Sequence, residues 1–174
     1  MKRILFPITV MAVVLSLTGC GYHTLGAAAH LPPDVRTLAV PVFATRTESY
    51  HTEAIMTSAV IREFATRSSF RVTPDDRADA DAVLHGIILK EAVAPYTYNA
   101  NTQQSSSFLI TVIVSVELTA RDGRVLYKND NYVYRQQYQS TTDLATFLQE
   151  DPAAVDRMAR DFARQLVADV LEGF

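Results

Sequence analysis

Residues 108–119 read FLITVIVSVELT and carry the most regular pattern of the chain. Apolar side chains occupy every second position, and polar side chains take most of the positions between them. The apolar set is Phe108, Ile110, Val112, Val114, Val116 and Leu118. Because successive side chains of a β-strand point to opposite faces of the sheet, this long alternation predicts a strand with one buried face.

The residues that follow predict a hairpin. Asp122-Gly123 stands between Arg121 and Arg124, and a second β-forming segment extends from Val125 to about Tyr138. The Asp-Gly pair favours a two-residue type I′ turn, which needs positive φ at both central positions.

Two further strands are predicted upstream, over Arg36–Phe43 and Ala82–Val93, and Phe70-Arg71-Val72 is a candidate for a short additional strand. Pro41 has no backbone N–H to donate, so it predicts an edge position or the end of its strand. Gly86 inside the strand over Ala82–Val93 predicts a bulge or a close approach of another group. The polar, uncharged segment from Pro95 to Ser107 predicts a long mobile loop.

A first helix is predicted between these strands. Ser49 or Thr52 is the candidate N-cap, Glu53 falls in the first turn, and Ser68 and Ser69 end the helix. The apolar residues are spaced as one helix face, namely Ile55, Met56, Ala59, Val60 and Phe64.

The C-terminal part predicts a short helix over Thr141–Glu150 and a new helix that begins at Asp151-Pro152, with Asp151 as N-cap and Pro152 at the first helical position. An apolar stripe then continues through Val155, Met158, Phe162, Leu166 and Val170. The predicted order β-α-β-β-β-α indicates an α+β domain over residues 34–174. It is a two-layer sandwich with a mixed four-stranded sheet and both helices on one face.

The N-terminus predicts a processed signal. Lys2 and Arg3 precede an apolar run from Ile4 to Leu17, which contains Pro7 and is shorter than the roughly 20 residues of a membrane-spanning helix. The sequence Leu17-Thr18-Gly19-Cys20 resembles a bacterial lipoprotein signal. That resemblance implies a signal peptide over residues 1–19, lipid on Cys20, and a tether over residues 20–33. Gly21, where an aspartate marks inner-membrane retention, favours the outer membrane. The alternative, a buried N-terminal helix, also remains open.

Composition narrows the function. Removal of residues 1–19 leaves 155 residues with 14 basic and 19 acidic side chains, a net charge of −5. A negative body argues against general nucleic-acid binding. Cys20 is the only cysteine, so no internal disulfide and no zinc site of paired cysteines is expected. The four histidines, the acidic residues 75–81 and Ser105-Ser106-Ser107 show no metal-ligand or nucleophile spacing, which predicts neither a metal, nor a cofactor, nor catalysis.

Several short motifs occur in a fixed order along the chain. They are Cys20-Gly21-Tyr22 with Leu25, then Val40-Pro41-Val42-Phe43 with Thr47, then Ala80-Asp81-Ala82 with Leu84 and Gly86, the Asp122-Gly123 turn, and the amphipathic C-terminal helix. Together these motifs resemble the lipopolysaccharide-assembly lipoprotein (LptE-like) family. One departure is Thr45, where the family commonly has asparagine.

The resemblance implies a lipid-anchored protein on the periplasmic side of the outer membrane, without catalysis. It would plug and help assemble the β-barrel LptD and assist lipopolysaccharide transport to the outer leaflet. A related lipoprotein of the secretion-channel or cell-wall-synthase-activator type is the alternative.

Two groups of side chains are candidate contacts. Tyrosines suit interfaces that contain water, and these are predicted to face the barrel partner. The alternative is that they occur here only because tyrosine has a high β-strand propensity. Basic residues at or near the hairpin are predicted to bind lipopolysaccharide phosphates, although they also suit a solvated turn. The tyrosines are Tyr96, Tyr98, Tyr132, Tyr134 and Tyr138, and the basic residues are Lys90, Arg121, Arg124, Lys128 and Arg135.

Overall fold

The computed structural model describes residues 31–47, 51–75, 79–99, 104–139 and 144–173. The predicted signal peptide, Cys20 and most of the predicted tether lie outside these residues. Leu31, inside the predicted tether, is buried with Val35, so the packed domain already includes this residue.

The chain forms six strands and two helices, more strands than the predicted four but the same α+β class. The strands are β1 (Thr37–Ala39), β2 (Ala44–Thr45), β3 (Arg71–Thr73), β4 (Ala82–Asn99), β5 (Gln104–Ala120) and β6 (Val125–Gln139). The helices are α1 (Thr52–Arg67), between β2 and β3, and α2 (Leu144–Glu172), after β6.

The sheet is mixed, with the order β3-β1-β4-β5-β6, and β2 pairs separately with β4. The strands β1, β2 and β3 run parallel to their partners, whereas β4, β5 and β6 form an antiparallel meander. The predicted strand over Arg36–Phe43 is present only as β1, which ends at Ala39, two residues before Pro41, and β2 begins after Phe43. This agrees with the prediction that the proline lies near a strand end.

The segment Pro95–Ser107 is not a loop wherever the structure describes it, so that prediction was wrong. Strand β4 continues to Asn99 and β5 begins at Gln104, and the two strands pair along this extension. A segment without charges and with almost no aliphatic side chains is typical of a loop. A hairpin between two long strands, however, tolerates Ser, Thr and Tyr because its pairing uses the backbone.

The hairpin between β5 and β6 is present, but it is not a type I′ turn. Gly123 has a φ of 84°, whereas Asp122 does not have positive φ. The Gly123 amide donates to the Ala120 carbonyl and the Ala120 amide donates to the Arg124 carbonyl, both at 2.9 Å. These bonds describe a three-residue loop with glycine in the left-handed position, the next most common hairpin connection.

The helix boundaries agree in part with the predictions. Helix α1 ends at Arg67 with Ser68 as its C-cap, as expected, but its N-cap is His51, in the left-handed region at φ 64°, rather than Thr52. Ser49 lies outside the described residues. Asp151 and Pro152 lie inside the single helix α2, so the predicted helix start there was wrong. Residues 141–143 of the predicted short helix are also outside the described part.

Both helices cover one face of the sheet. The predicted stripe of α2 is buried throughout, and all of the α1 stripe except the half-buried Ile55 is buried. Phe162 of α2 lies at the centre, with its ring edge-on to those of Phe43, Tyr132 and Tyr134 at centroid distances of 6.2, 5.7 and 5.3 Å. The predicted strand periodicity is confirmed, because Ile110, Val112, Val114, Val116 and Leu118 are all buried under the helices.

Candidate functional site

The candidate site is the sheet face that no described helix covers, which we call the open face. It carries the side chains of β5 that alternate with the buried set, together with their neighbours in register on β4 and β6. Its members are Val83, His85, Ile87, Lys90 and Ala92 on β4, Leu109, Thr111, Ile113, Ser115, Glu117 and Thr119 on β5, and Lys128, Val133, Arg135 and Gln137 on β6.

A bulge in β4 places Lys90 on the open face. Ile88 pairs with Val114 and Lys90 pairs with Ile113, so Leu89 is the extra residue and the alternation of β4 changes phase there. Before the bulge His85 and Ile87 point to the open face; after it Lys90 and Ala92 do. Lys90 therefore lies beside Ile113 of the central strand and is exposed.

The middle of the open face is apolar and only half-buried. Ile87, Leu109 and Ile113 are all of intermediate exposure, and Val133 is 37% exposed. No described element packs over these side chains. This face therefore combines an apolar centre with polar and charged side chains around it, which is the composition of a surface that contacts another molecule.

The cations on the open face differ in their pairing. Lys128 lies 3.1 Å from Glu117 and 3.6 Å from Asp130, and these partners, Glu117 first, raise the pKa of its ammonium group. Lys90 and Arg135 form no ion pair with any residue in the described ranges. Arg135 pairs in register with Thr111, whereas Lys90 pairs with Ile113, the next residue on the same face of β5. Two unneutralised cations therefore flank the apolar centre from its two sides.

The two arginines of the hairpin turn are engaged in structural contacts. Arg121 donates to the carbonyl of Ala80 at 3.1 Å and lies 3.3 Å from the carboxylate of Asp81. Arg124 lies 3.5 Å from Asp122. A cavity of about 460 Å³ lies beside both arginines, and Asp34, Asp81 and Asp122 also line it, so charges of both signs surround it. The turn is therefore not a uniformly basic patch.

Asp81 explains physically why the sequence Ala80-Asp81-Ala82 is useful. Its carboxylate accepts the backbone N–H groups of Arg36 at 3.0 Å and Thr37 at 2.9 Å. These two bonds, in that order, lower the pKa of Asp81, and the charge of Arg121 acts in the same direction. The carboxylate thus joins the start of β1, the start of β4 and the hairpin turn. Sequence reasoning cited this residue only as part of a motif.

The five candidate tyrosines fall into different environments. Tyr132, Tyr134 and Tyr138 share a sheet face as predicted, but it is the helix-covered face, where Tyr132 and Tyr138 are 5% and 4% exposed. Tyr132 and Tyr138 pack inside the chain's own core rather than on a surface that a partner can reach, and Tyr134 is half-buried beside Tyr132. Tyr96 is 59% exposed near the far end of β4. Tyr98 belongs to the same strand, but its side chain lies outside the described part.

Two of these tyrosines bind helix α2 to strand β6. The Tyr132 hydroxyl donates to Asp169 at 2.6 Å and also hydrogen-bonds the Tyr127 hydroxyl. The Tyr134 hydroxyl donates to Gln165 at 2.6 Å. Burial first, then the hydrogen bonds of Tyr132 and the negative charges near Tyr134, raise the pKa of both phenols well above the usual value. Both hydroxyls therefore stay protonated and serve as structural donors.

Gly86 is the close-approach position that the sequence indicated. A Cβ atom added there would lie 2.5–2.6 Å from three ring atoms of Phe43, far inside contact distance. The Phe43 amide in turn donates to the Thr57 hydroxyl of α1 at 3.0 Å. The Pro-Val-Phe motif and the distant glycine are thus two halves of one packing arrangement.

The described residues show neither a metal centre nor a membrane-spanning helix. No three His, Cys, Asp or Glu side chains in these ranges are placed to hold a metal ion. No described helix combines the length and the apolar character needed to cross a membrane.

The fold is shared with solved bacterial proteins of low sequence identity. An uncharacterized lipoprotein B from Nitrosomonas europaea is 12% identical with a TM-score of 0.56, over 88% of this chain and 92% of that one. A putative lipoprotein from Caulobacter crescentus is 12% identical with a TM-score of 0.53, over 76% and 89%. A hypothetical protein from Chlamydia trachomatis is 13% identical with a TM-score of 0.51, over 78% and 95%. At this identity the likeness shows the fold alone.

A comparison with curated proteins found no match. The family model described as LptE, lipopolysaccharide-assembly, matches residues 35–170, which contain nearly the whole described domain. The match includes the Phe43–Gly86 contact, Asp81, the hairpin turn and most of helix α2. The chain therefore belongs to the LptE family of lipopolysaccharide-assembly proteins.

Proposed function

We propose that this protein is a non-enzymatic outer-membrane lipoprotein that plugs and helps assemble an LptD-type β-barrel and assists lipopolysaccharide transport. The family match over residues 35–170 is the observation that carries the proposal. A wide barrel has more interior than its own side chains can fill, so a compact domain that occupies the lumen supplies the missing packing.

The two layers of the domain suit this role differently. The helix layer covers one face of the sheet, and the side chains of the two layers form one buried core there. The open face keeps half-buried apolar side chains and two cations without carboxylate partners in the described ranges. We assign to this face the contact with lipopolysaccharide, in which Lys90 and Arg135 pair with phosphates and the apolar centre lies beside acyl chains.

The other predicted basic residues have lesser parts in this proposal. Arg121 and Lys128 already have carboxylate partners at 3.3 and 3.1 Å, and Arg124 has Asp122 at 3.5 Å. A phosphate would have to compete with these carboxylates. The partner contact of the tyrosines is proposed for Tyr96 and Tyr98 at the far end of β4.

The anchor is the second half of the proposal. Lipid on Cys20, with residues 21–30 as a tether, would hold the domain at the periplasmic side of the outer membrane. One acyl signal binds a membrane reversibly and several chains bind it stably, so a triacylated N-terminus gives a permanent attachment.

Affinity purification from Gram-negative membranes tests the barrel partner. Full-length protein with a C-terminal tag should retain an LptD-type barrel after detergent extraction. The matched control is Cys20→Ser, which removes the lipid acceptor and leaves the folded domain unchanged. Recovery of the wild-type chain without any barrel, or as a ring of its own copies, would reject the proposal in favour of the alternative lipoprotein types.

Lipopolysaccharide binding tests the open face separately. The double variant Lys90→Glu with Arg135→Glu should reduce binding of purified lipopolysaccharide, because each change removes a phosphate partner and adds repulsion. Lys128→Glu with Glu117→Lys, which exchanges a pair on the same face, is the matched control and should retain binding. Equal affinity of both double variants would show that the cations play no part.

A further inference from the structure

Strand β6 forms one outer edge of the sheet. It pairs with β5 on its inner side, and no described strand pairs with its outer side. The unpaired backbone N–H and C=O groups of an edge strand form a template on which another extended chain can add.

The two halves of this edge differ in their protection. In the first half, the pairs Asn129 with Val116 and Tyr132 with Val114 leave residues 130 and 131 as an irregularity. Lys128 and Asp130 carry charges there as well. Bulges and charges are the usual means by which proteins prevent edge pairing. The first half is therefore blocked.

The second half, residues 132–139, reads YVYRQQYQ and has none of these devices except Arg135. Its register against β5 is unbroken from Tyr132 to Gln139. It contains no proline and no glycine. Tyr132 and Tyr138 are buried under the helix layer, which holds the segment in place, while Val133, Arg135 and Gln137 are exposed on the open face. This half is therefore a regular edge with which no strand in the described ranges pairs.

We propose that residues 132–139 accept an extended strand of the barrel partner before that barrel closes. This inference rests on the proposed assembly function. A closed barrel has no free edge, but the first and the last strand of an unfinished barrel each have one. A membrane strand of about 9–11 residues is close in length to this eight-residue segment. The single cation selects a strand with an acidic or neutral side chain opposite Arg135, since like charges in facing positions are unfavourable.

A model peptide tests the pairing without a barrel. The probe is a twelve-residue peptide of alternating valine and threonine with one central aspartate, added to the full-length protein in detergent micelles. Hydrogen exchange of the backbone amides in residues 132–139 should become several-fold slower. The same peptide with a central proline should protect much less, because the proline removes a backbone donor.

Two variants make the test specific. Val133→Lys adds an edge charge and should abolish the protection, while His85→Lys adds the same charge to the exposed open face of the interior strand β4 and should leave it intact. Arg135→Glu should weaken protection by the aspartate probe and restore it for a probe with lysine in that place. Absent protection in the wild type, or equal protection in Val133→Lys, would overturn the proposal.

The outcome is distinguishable from a failure of the proposed function. The peptide assay involves neither lipopolysaccharide nor LptD. If the edge is used only in assembly, Val133→Lys should lower the yield of the co-expressed barrel complex, while the complex that does form should be as stable as wild type. A wild-type protein that co-purifies no barrel would reject the assembly function itself, whatever the peptide result.

Discussion

The covered and the open face belong to the same three long strands, yet they differ in how they are packed. On the covered face, α1 and α2 bury the central side chains of β5 and those beside them on β4 and β6, such as Leu84, Ile88 and Tyr132. On the open face, alternate residues of the same strands remain half-buried or exposed. The covered face therefore stabilises the fold, whereas the open face keeps apolar and cationic side chains accessible to a second molecule. Five substitutions can test this division, from the largest expected effect on stability to the smallest.

Phe162→Ala should have the largest effect. Phe162 is completely buried, and its ring packs edge-on against those of Phe43, which precedes β2, and of Tyr132 and Tyr134 on β6. Loss of its transfer free energy and the cavity it leaves should lower the free energy of unfolding by about 3–5 kcal/mol. Denaturant unfolding measures the change. A loss below about 1 kcal/mol would mean that the helix layer does not hold the fold.

Gly86→Ala should come next. The added Cβ would overlap the ring of Phe43, so either the ring or strand β4 must move. Overpacking of this kind costs about 1–3 kcal/mol. Phe43→Leu replaces the ring by a smaller side chain, so Gly86→Ala should cost less in that background than in the wild type. The effects of substitutions at residues in contact are not additive. Full additivity in the double-mutant cycle would contradict the proposed contact.

Tyr132→Phe should have an intermediate effect on the covered face. It keeps the ring but removes the hydroxyl that bonds Asp169 and Tyr127. Loss of a buried hydrogen bond to a charged group costs about 1.5–3 kcal/mol. Tyr134→Phe is the matched control, because its bond to Gln165 is exposed and joins neutral groups, and it should cost less. The reverse order would indicate that these bonds do not secure α2.

Asp81→Asn tests the junction at the end of the sheet through its pH dependence. The folded protein lowers the pKa of Asp81 below its unfolded value of about 3.9, so its stabilisation is complete above that value. It is lost as the pH falls through the lower folded pKa. The variant should therefore be less stable than wild type at pH 7, and the difference should shrink in acid. Asp122→Asn, in the exposed turn, is the control; a pH-independent difference for Asp81→Asn would refute the linkage.

Val133→Ser should have the smallest effect on stability. Val133 lies on the open face and is already 37% exposed, so its replacement should change the free energy of unfolding by less than about 0.5 kcal/mol. Thermal unfolding of the purified protein measures this. A loss comparable to that of Tyr132→Phe would show that the open face also contributes to the core.

The sequence predicts the antiparallel meander well because its periodicity is strong. Twelve residues with an apolar side chain at every second position place Val112 and Val114 in the core without any knowledge of neighbours. The apolar stripes of both helices succeed for the same reason. The sequence predicts a close approach at Gly86, and the structure confirms it. The partner, Phe43, is 43 positions away, and a single sequence does not reveal which distant residue makes that contact.

The errors follow from local signals that tertiary structure overrides. Asp151-Pro152 has the composition of a helix start, yet the helix continues through it. The neutral segment from Pro95 has the composition of a loop, yet long-range pairing with β5 makes most of it a strand. The side of the sheet that the tyrosines face depends on where α2 packs, which strand parity alone does not determine. Parity showed that three tyrosines share a face but not which face.

A photo-crosslinking amino acid in place of His85 tests directly whether the open face contacts lipopolysaccharide or the barrel. His85 is exposed on the open face of β4, whereas Arg62 is exposed on the outer side of helix α1 and serves as the reference position. Irradiation of living Gram-negative cells should give adducts of the His85 variant with lipopolysaccharide or with an LptD-type barrel, in greater amount than the Arg62 variant. Adducts with neither molecule from His85 would contradict the account.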